Sequence, residues 1–406
     1  MKAHNSMQAE TPNSGEGKTE RKFRVFTESF FSLSFDLGGL IAGSFIGYYA
    51  TLIFLKSWAI AIYPIVLTGR GALNGVLAGR LSTGLHVELI KPSLTKNTRY
   101  YYAVASSLLS LSLIVSFIMS TMAFIVTGAL LSELPLIFST CITAQAITML
   151  LTVPATSIIG FIAFKRGLDP DAILYPISST LADIWATISY LIALYMAFWL
   201  PVGQTIIYII GIATIIFAGA LTYIFSKESE YWRTLREASL TIVVVTLIAT
   251  VSGYSLSHIK SRLEASPEIL IVYPALIDTL GDSVAIFGSI STTKLFIGTL
   301  ESKLSNLTTQ VRDLAQLWLS STIYYIVYGF IAYLPRKNII SFLLPLASFN
   351  LIFPVMITIA FIIAILTFKK GLDPDNFVIP FETALTDALM TLTLTSLVIL
   401  FYAAQL

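Results

Sequence analysis

Long apolar runs separated by short polar stretches organise almost the whole chain. A helix needs about 20 mostly apolar residues to cross a hydrocarbon core of about 30 Å, and eleven stretches reach that length. They cover residues 30–55, 58–81, 101–129, 134–164, 172–200, 205–225, 237–257, 268–293, 314–334, 339–368 and 376–404. Helices satisfy every backbone polar group within one segment, so the pattern predicts an all-α polytopic membrane protein with eleven transmembrane helices.

Composition agrees with the pattern. Hydrophobic residues make up 56% of the 406 positions and charged residues 12%, against roughly a quarter charged in soluble domains. The net charge of +2 is spread over loops rather than gathered on one strip, so nucleic acid is not an expected partner and membrane lipid is. The single cysteine, Cys141, lies in an apolar stretch without His or Cys nearby and reads as a small core residue. Residues 1–29 are polar up to a basic run at Arg21, Lys22 and Arg24, the composition of a disordered tail, and no removable signal peptide is indicated.

Loop charges orient the chain, because Lys and Arg concentrate on the cytoplasmic side. With the N-terminus inside, nineteen basic residues fall in inside segments and five, Lys56, Lys260, Arg262, Arg336 and Lys337, fall outside. A multi-pass cell-membrane protein with a cytoplasmic N-terminus and an external C-terminus is expected. Losing or adding one middle span would scramble that split.

The chain also repeats itself. FKRGLDPDAILYPISSTLADIWAT from Phe164 returns as FKKGLDPDNFVIPFETALTDALMT from Phe368, with eleven of 24 positions identical, among them Pro176/Pro380, Asp183/Asp387 and Thr187/Thr391. More weakly, YPIVLTGRG with Pro64 matches YPALIDTLG with Pro274. The expected organisation is 5+1+5: a five-helix unit over 30–200, a linking helix and cytoplasmic loop over 201–236, and a second unit over 237–406. An odd number of spans inverts direction, so the sixth helix lets both units run parallel about a pseudo-two-fold axis along the membrane normal, with a pathway on that axis.

Two aspartates carry the candidate chemistry. The acids of each GLDPD loop can cap the helix that follows. Asp183 and Asp387 lie twelve residues further on, about 18 Å into the helix at about 1.5 Å per residue. A carboxylate at that depth costs several kcal/mol unless it is hydrated, paired or bound to a cation. Ser179, Thr180 and Thr187 share the face of Asp183, as Thr383 and Thr391 share that of Asp387. Carboxylates backed by hydroxyls form the oxygen-only surroundings preferred by hard cations, and the lack of thiol or imidazole argues against zinc or copper. The bland alternative is that each aspartate bridges neighbouring helices. The second helix of each unit is the other candidate lining, with Gly71 and Asn74 in the first half and Asp278, Gly281 and Asp282 in the second. Close packing accounts for glycines alone, not for two acids one turn apart. Arg70 can neutralise one of these acids or Asp36, and the sequence does not choose between them.

At these residues the chain resembles the MgtE family of magnesium transporters and channels, and more closely its fused relative, solute carrier family 41. The resemblance rests on RGALNGVLAGRLST, Arg70 to Thr83, and on the DPDN loop from Asp373 to Asn376 with Pro380 and Asp387. It implies a Mg²⁺ pathway with a central site at Asp183 and Asp387, helped by backbone around Gly71 and Gly281, and no organic cofactor. Fusion implies that one chain supplies both halves, so a monomer suffices. The chain departs from the family where Gly-Asn becomes Gly71-Ala72 and Gly281-Asp282, which bears on selectivity. The soluble magnesium-sensing domains of bacterial relatives have no counterpart in the short tail, so gating by such a sensor is not expected.

Divalent cation transport, not enzyme activity, is therefore the leading expectation, with Mg²⁺ foremost. One alternative drives the same pathway by exchange with Na⁺ or H⁺. A remote one is an intramembrane aspartyl enzyme using Asp183 and Asp387 as an acid pair.

Overall fold

A computed structural model describes residues 23–167, 170–370 and 374–403. Helix is the only regular structure among them, and eleven helices are long and apolar enough to cross a membrane. We label them α1 (Arg24–Tyr48), α2 (Ser57–His86), α3 (Arg99–Thr127), α4 (Leu134–Lys165), α5 (Pro170–Phe198), α6 (Gly203–Phe225), α7 (Ser229–His258), α8 (Glu268–Phe296), α9 (Val311–Tyr333), α10 (Ile339–Lys370) and α11 (Pro374–Ala403). Each expected stretch finds its helix.

The ends follow local chemistry more than hydropathy. The Thr98 hydroxyl accepts the Tyr101 N–H at 3.3 Å to open α3, and Gly128 closes it at φ +62°. α7 starts at Ser229, within the polar loop expected before residue 237. Its first turns are held by ion pairs: Arg80 of α2 reaches Glu230 and Glu237, and Arg233 meets Glu237 at 2.9 Å.

α1 also begins early, at Arg24, inside the segment read as tail. It is not one straight helix. Arg24–Leu33 and Gly39–Tyr48 are joined by a tighter 3-10 segment, Ser34–Gly38, and a short helix, Ala50–Phe54, follows. Apolar residues run on through the break, so hydropathy alone does not mark it.

Burial separates centre from periphery. In the most apolar window of α2 and of α8, 78% and 72% of residues are buried, against 17% for α6. α2 and α8 are therefore enclosed by other helices, and α6 presents Ile209, Ile212, Ile216 and Phe217 outward, as a helix bathed in lipid does.

α1 and α7 each reach across the chain while keeping contact with a helix nearer in sequence to their own repeat, α5 for α1 and α11 for α7. α1 packs on α8 and α9, while α7 packs on α2, α3 and α11. Glycine permits both contacts. A Cβ on Gly43 would stand 1.8 Å from the Ile271 carbonyl oxygen of α8, and one on Gly253 would stand 2.1 Å from that of Ala61 in α2. The displacements agree: 253 − 43 = 210 and 271 − 61 = 210, the same offset that separates Pro64 from Pro274.

Candidate cation site

α5, α8 and α11 bring four aspartates together, and the break in α1 adds a fifth. Asp183 of α5 and Asp387 of α11 are 1% and 5% exposed, and Asp36 in the break is also 5% exposed. Asp278 and Asp282 of α8 are only part-buried. Asp278 lies in the electrostatic field of Asp183, Asp36, Arg70 and Asp387. Asp387 likewise feels Asp183, Arg70 and Asp282.

One guanidinium lies among these five acids. Arg70, 3% exposed on α2, pairs through Nη2 with Asp183 and donates from Nη1 to the Ser179 carbonyl at 3.0 Å. The sequence offers Asp278, Asp282 or Asp36 as the partner of Arg70, and the structure pairs it with none of these but with Asp183, which helix packing brings to it. The second oxygen of Asp183 and one oxygen of Asp36 are buried without a donor. Asp183 and Asp278 lie within electrostatic range of each other, as do Asp36 and Asp282, and Thr279 also neighbours Asp36. Carboxyl groups so close are tolerable only with a proton or a cation between them.

Several contacts recur in both halves. Tyr63 of α2 meets the Thr187 hydroxyl of α5 at 3.4 Å, and Tyr273 of α8 meets that of Thr391 of α11 at 2.8 Å. Across the halves, Thr68 of α2 donates to Asp387 at 2.8 Å, where Asp278, 210 residues later, is electrostatically coupled to Asp183. Arg70 has no such counterpart: the residue 210 positions on is Leu280.

The remaining expected lining residues divide. Ser179, Thr383, Asp278 and Asp282 keep some accessible surface, and nothing stands within 4 Å of a Cβ placed on Gly71. Gly75 and Gly79, further along α2, likewise have nothing within 4 Å of an added Cβ. Gly281 is buried, and a Cβ there would sit 3.8 Å from Thr383. Thr180 turns its hydroxyl to the Phe35 carbonyl in the α1 break at 3.1 Å. Asn74 donates to Ser178 at 2.9 Å and accepts from Thr156 at 3.0 Å, so its amide ties α2 to α5 and α4 rather than standing free. The GLDPD aspartates, with Pro176 and Pro380, lie outside the residues whose side chains are described.

Three participants escape a reading based on the repeat. Asp36 lies in α1, away from the duplicated motifs, and Thr68 is a lone hydroxyl in an apolar run. Glu382 of α11 is 2% exposed with Oε1 unpartnered, and its Oε2 would lie 3.4 Å from a Cβ on Gly288. Its signal was an acid five residues before Asp387 in an apolar helix, at the position where the first half has Ser178. Among the described residues no three of His, Cys, Asp and Glu converge tightly enough to hold a metal ion directly.

A multi-pass helical bundle with acids gathered at its enclosed centre has the build of a membrane transporter for cations. The sequence profile of the MgtE family, described as a divalent cation transporter, matches residues 63–193 and 273–397. These regions cover well over half of the chain, and the chain belongs to the MgtE family. It is a divalent cation transporter, and the aspartyl-enzyme alternative is set aside because the family is one of transporters. No curated protein matches it significantly. Among solved structures, the crystal structure of a eukaryotic MATE transporter, AtDTX14, is similar at 14% identity over 96% of each chain with a TM-score of 0.15, too low to carry an argument.

Proposed function

We propose that the transported ion is Mg²⁺, held as a largely hydrated ion at mid-membrane by Asp387, Asp183, Asp278 and Asp282. The observation that carries this reading is the make-up of the centre: five aspartates gather around one guanidinium within the enclosed core. Uncompensated charge of that sign is costly in a membrane, and a divalent cation relieves it. Oxygen ligands suit a hard cation, and Mg²⁺ sheds water reluctantly, which suits a centre without a tight ligand cage.

The two halves are parallel repeats, in our reading, arranged 5+1+5 about an axis along the membrane normal. Support comes from the paired glycine contacts at Gly43 and Gly253 and the paired tyrosine contacts at Tyr63 and Tyr273. One chain then supplies both halves of the pathway, with its N-terminus in the cytoplasm. The halves have diverged, since Arg70 occupies Asp183 and nothing equivalent occupies Asp387.

The test is Mg²⁺ flux into proteoliposomes by Asp183→Ala/Asp387→Ala protein whose correct insertion has been checked. Loss of flux is expected, and native flux removes the central site. Repeating the native measurement with and without an imposed Na⁺ or H⁺ gradient separates conduction from exchange.

A further inference from the structure

The acids of the centre are not shared evenly between its two walls. On the wall made by α1 and α8 stand Asp36, Asp278 and Asp282; at the positions displaced by 210 residues, α7 and α2 carry Thr246, Thr68 and Ala72. The α7/α2 wall contributes Arg70 instead, whose guanidinium is committed to Asp183. Thr246 sits within an unbroken helix and donates to the Ile242 carbonyl at 2.7 Å, whereas Asp36 sits in the 3-10 break of α1.

That break is fixed from both sides. The Thr180 hydroxyl of α5 donates to the Phe35 carbonyl at 3.1 Å, and a Cβ on Gly38 would stand 2.0 Å from the Thr180 methyl. On the other side a Cβ on Gly39 would stand 2.8 Å from the Ala275 nitrogen, so α1 lies directly on the α8 backbone one turn before Asp278. Irregular backbone at membrane depth is tolerated where it is buried in protein or lines a polar cavity. Here it presents one carboxyl group, which neighbours Thr279 and Asp282 and leaves its Oδ2 buried with no donor. Asp36 is electrostatically coupled to Asp282 and Asp183, and the nearest guanidinium is already taken.

We infer that Asp36 is a cation-binding residue of the transport pathway, and that the hydrated divalent cation is held on the α1/α8 wall, between Asp36, Asp278 and Asp282. This rests on the central-site reading above and places the ion off the axis, on the side away from Arg70. The role of the break in α1 is to bring a carboxyl group to that wall from a helix outside the duplicated motifs.

The experiment compares Asp36→Asn with Thr246→Val, both in full-length protein in proteoliposomes, by the Mg²⁺ concentration giving half-maximal flux. A doubly charged ion loses a full unit charge a few ångströms away in the Asn variant, so half-saturation is expected to rise by about tenfold or more. Thr246→Val should stay within about twofold, because the opposite wall does not meet the ion. A half-saturation for Asp36→Asn within about twofold of native overturns the inference. If that variant does not purify as a monodisperse protein, Asp282→Asn decides by the same criterion, since it removes the other carboxyl group of the pair. Asp387→Asn separates the two proposals. Lost flux there with an unchanged Asp36→Asn sinks only the placement on the α1/α8 wall, while native flux in all three aspartate variants sinks the central site as well.

Discussion

Replacing Arg70 by Gln removes the one guanidinium described among the five aspartates and keeps a polar side chain. Arg70 and Asp183 are 4% and 2% exposed at the side chain, so their pairing is shielded from solvent. Deleting one member of such a pair costs about 3–5 kcal/mol, mostly because the partner is left charged and buried. At roughly 2 °C per kcal/mol for a large chain, apparent melting should fall by about 6–10 °C in chelator. Cys141 provides the assay: it is the only cysteine and is fully buried, so a thiol-reactive dye reports the temperature at which the interior opens. Mg²⁺ should then rescue the variant more than it stabilises native protein, because the Asp183 oxygen that Arg70 occupies is freed for the ion as well. A ligand at 100 times its dissociation constant contributes about 2.7 kcal/mol, and each tenfold gain in affinity adds about 1.4 kcal/mol. A variant that melts like native protein in chelator, or that gains no more from Mg²⁺ than native protein does, refutes this account of Arg70.

Other expectations are more local. Gly43→Leu and Gly253→Leu should each destabilise the protein by about 3 kcal/mol or more, since a Cβ alone already collides with the facing carbonyl; melting unchanged in both would contradict these close contacts of α1 and α7. Glu382→Met should raise apparent stability by about 1–3 kcal/mol, because it replaces a buried carboxyl group whose Oε1 is unpartnered with an apolar side chain of similar length; a lower melting temperature would mean that the acid has a partner in the membrane. Single cysteines placed at Ser93 and Lys337, both exposed, should react with impermeant reagent from opposite faces, in a background lacking Cys141; labelling from one face would overturn the proposed topology.

Much of this architecture is legible in the order of residues, for reasons that differ by element. All eleven spans follow from the lengths of apolar runs, because lipid imposes the same length on every crossing. The early start of α7 does not, since its first turns are polar and rely on Arg80 from a helix about 150 residues away. The break in α1 is hidden because Phe35, Leu37 and Leu40 keep the run apolar while the backbone turns. Asp183 and Asp387 stand out through duplication, and the structure does bring them within electrostatic reach of each other. The choice of Asp183 as the partner of Arg70 depends on helix rotation and packing, which spacing along one helix does not determine. Asn74 looks like a lining residue by its glycine-rich surroundings, yet its amide is consumed by Ser178 and Thr156. Glu382 falls outside a search for repeated acids because its counterpart is Ser178.

Locating a bound ion tests the central claim most directly. Mn²⁺, soaked into crystals of the full chain as a stand-in for Mg²⁺, would reveal its position by anomalous scattering. The account predicts one peak at mid-membrane among Asp387, Asp278, Asp282 and Asp36, at water-mediated distances of about 4 Å rather than direct contacts of about 2 Å. Anomalous density confined to the loops, with none among these aspartates at a concentration that saturates transport, would contradict it.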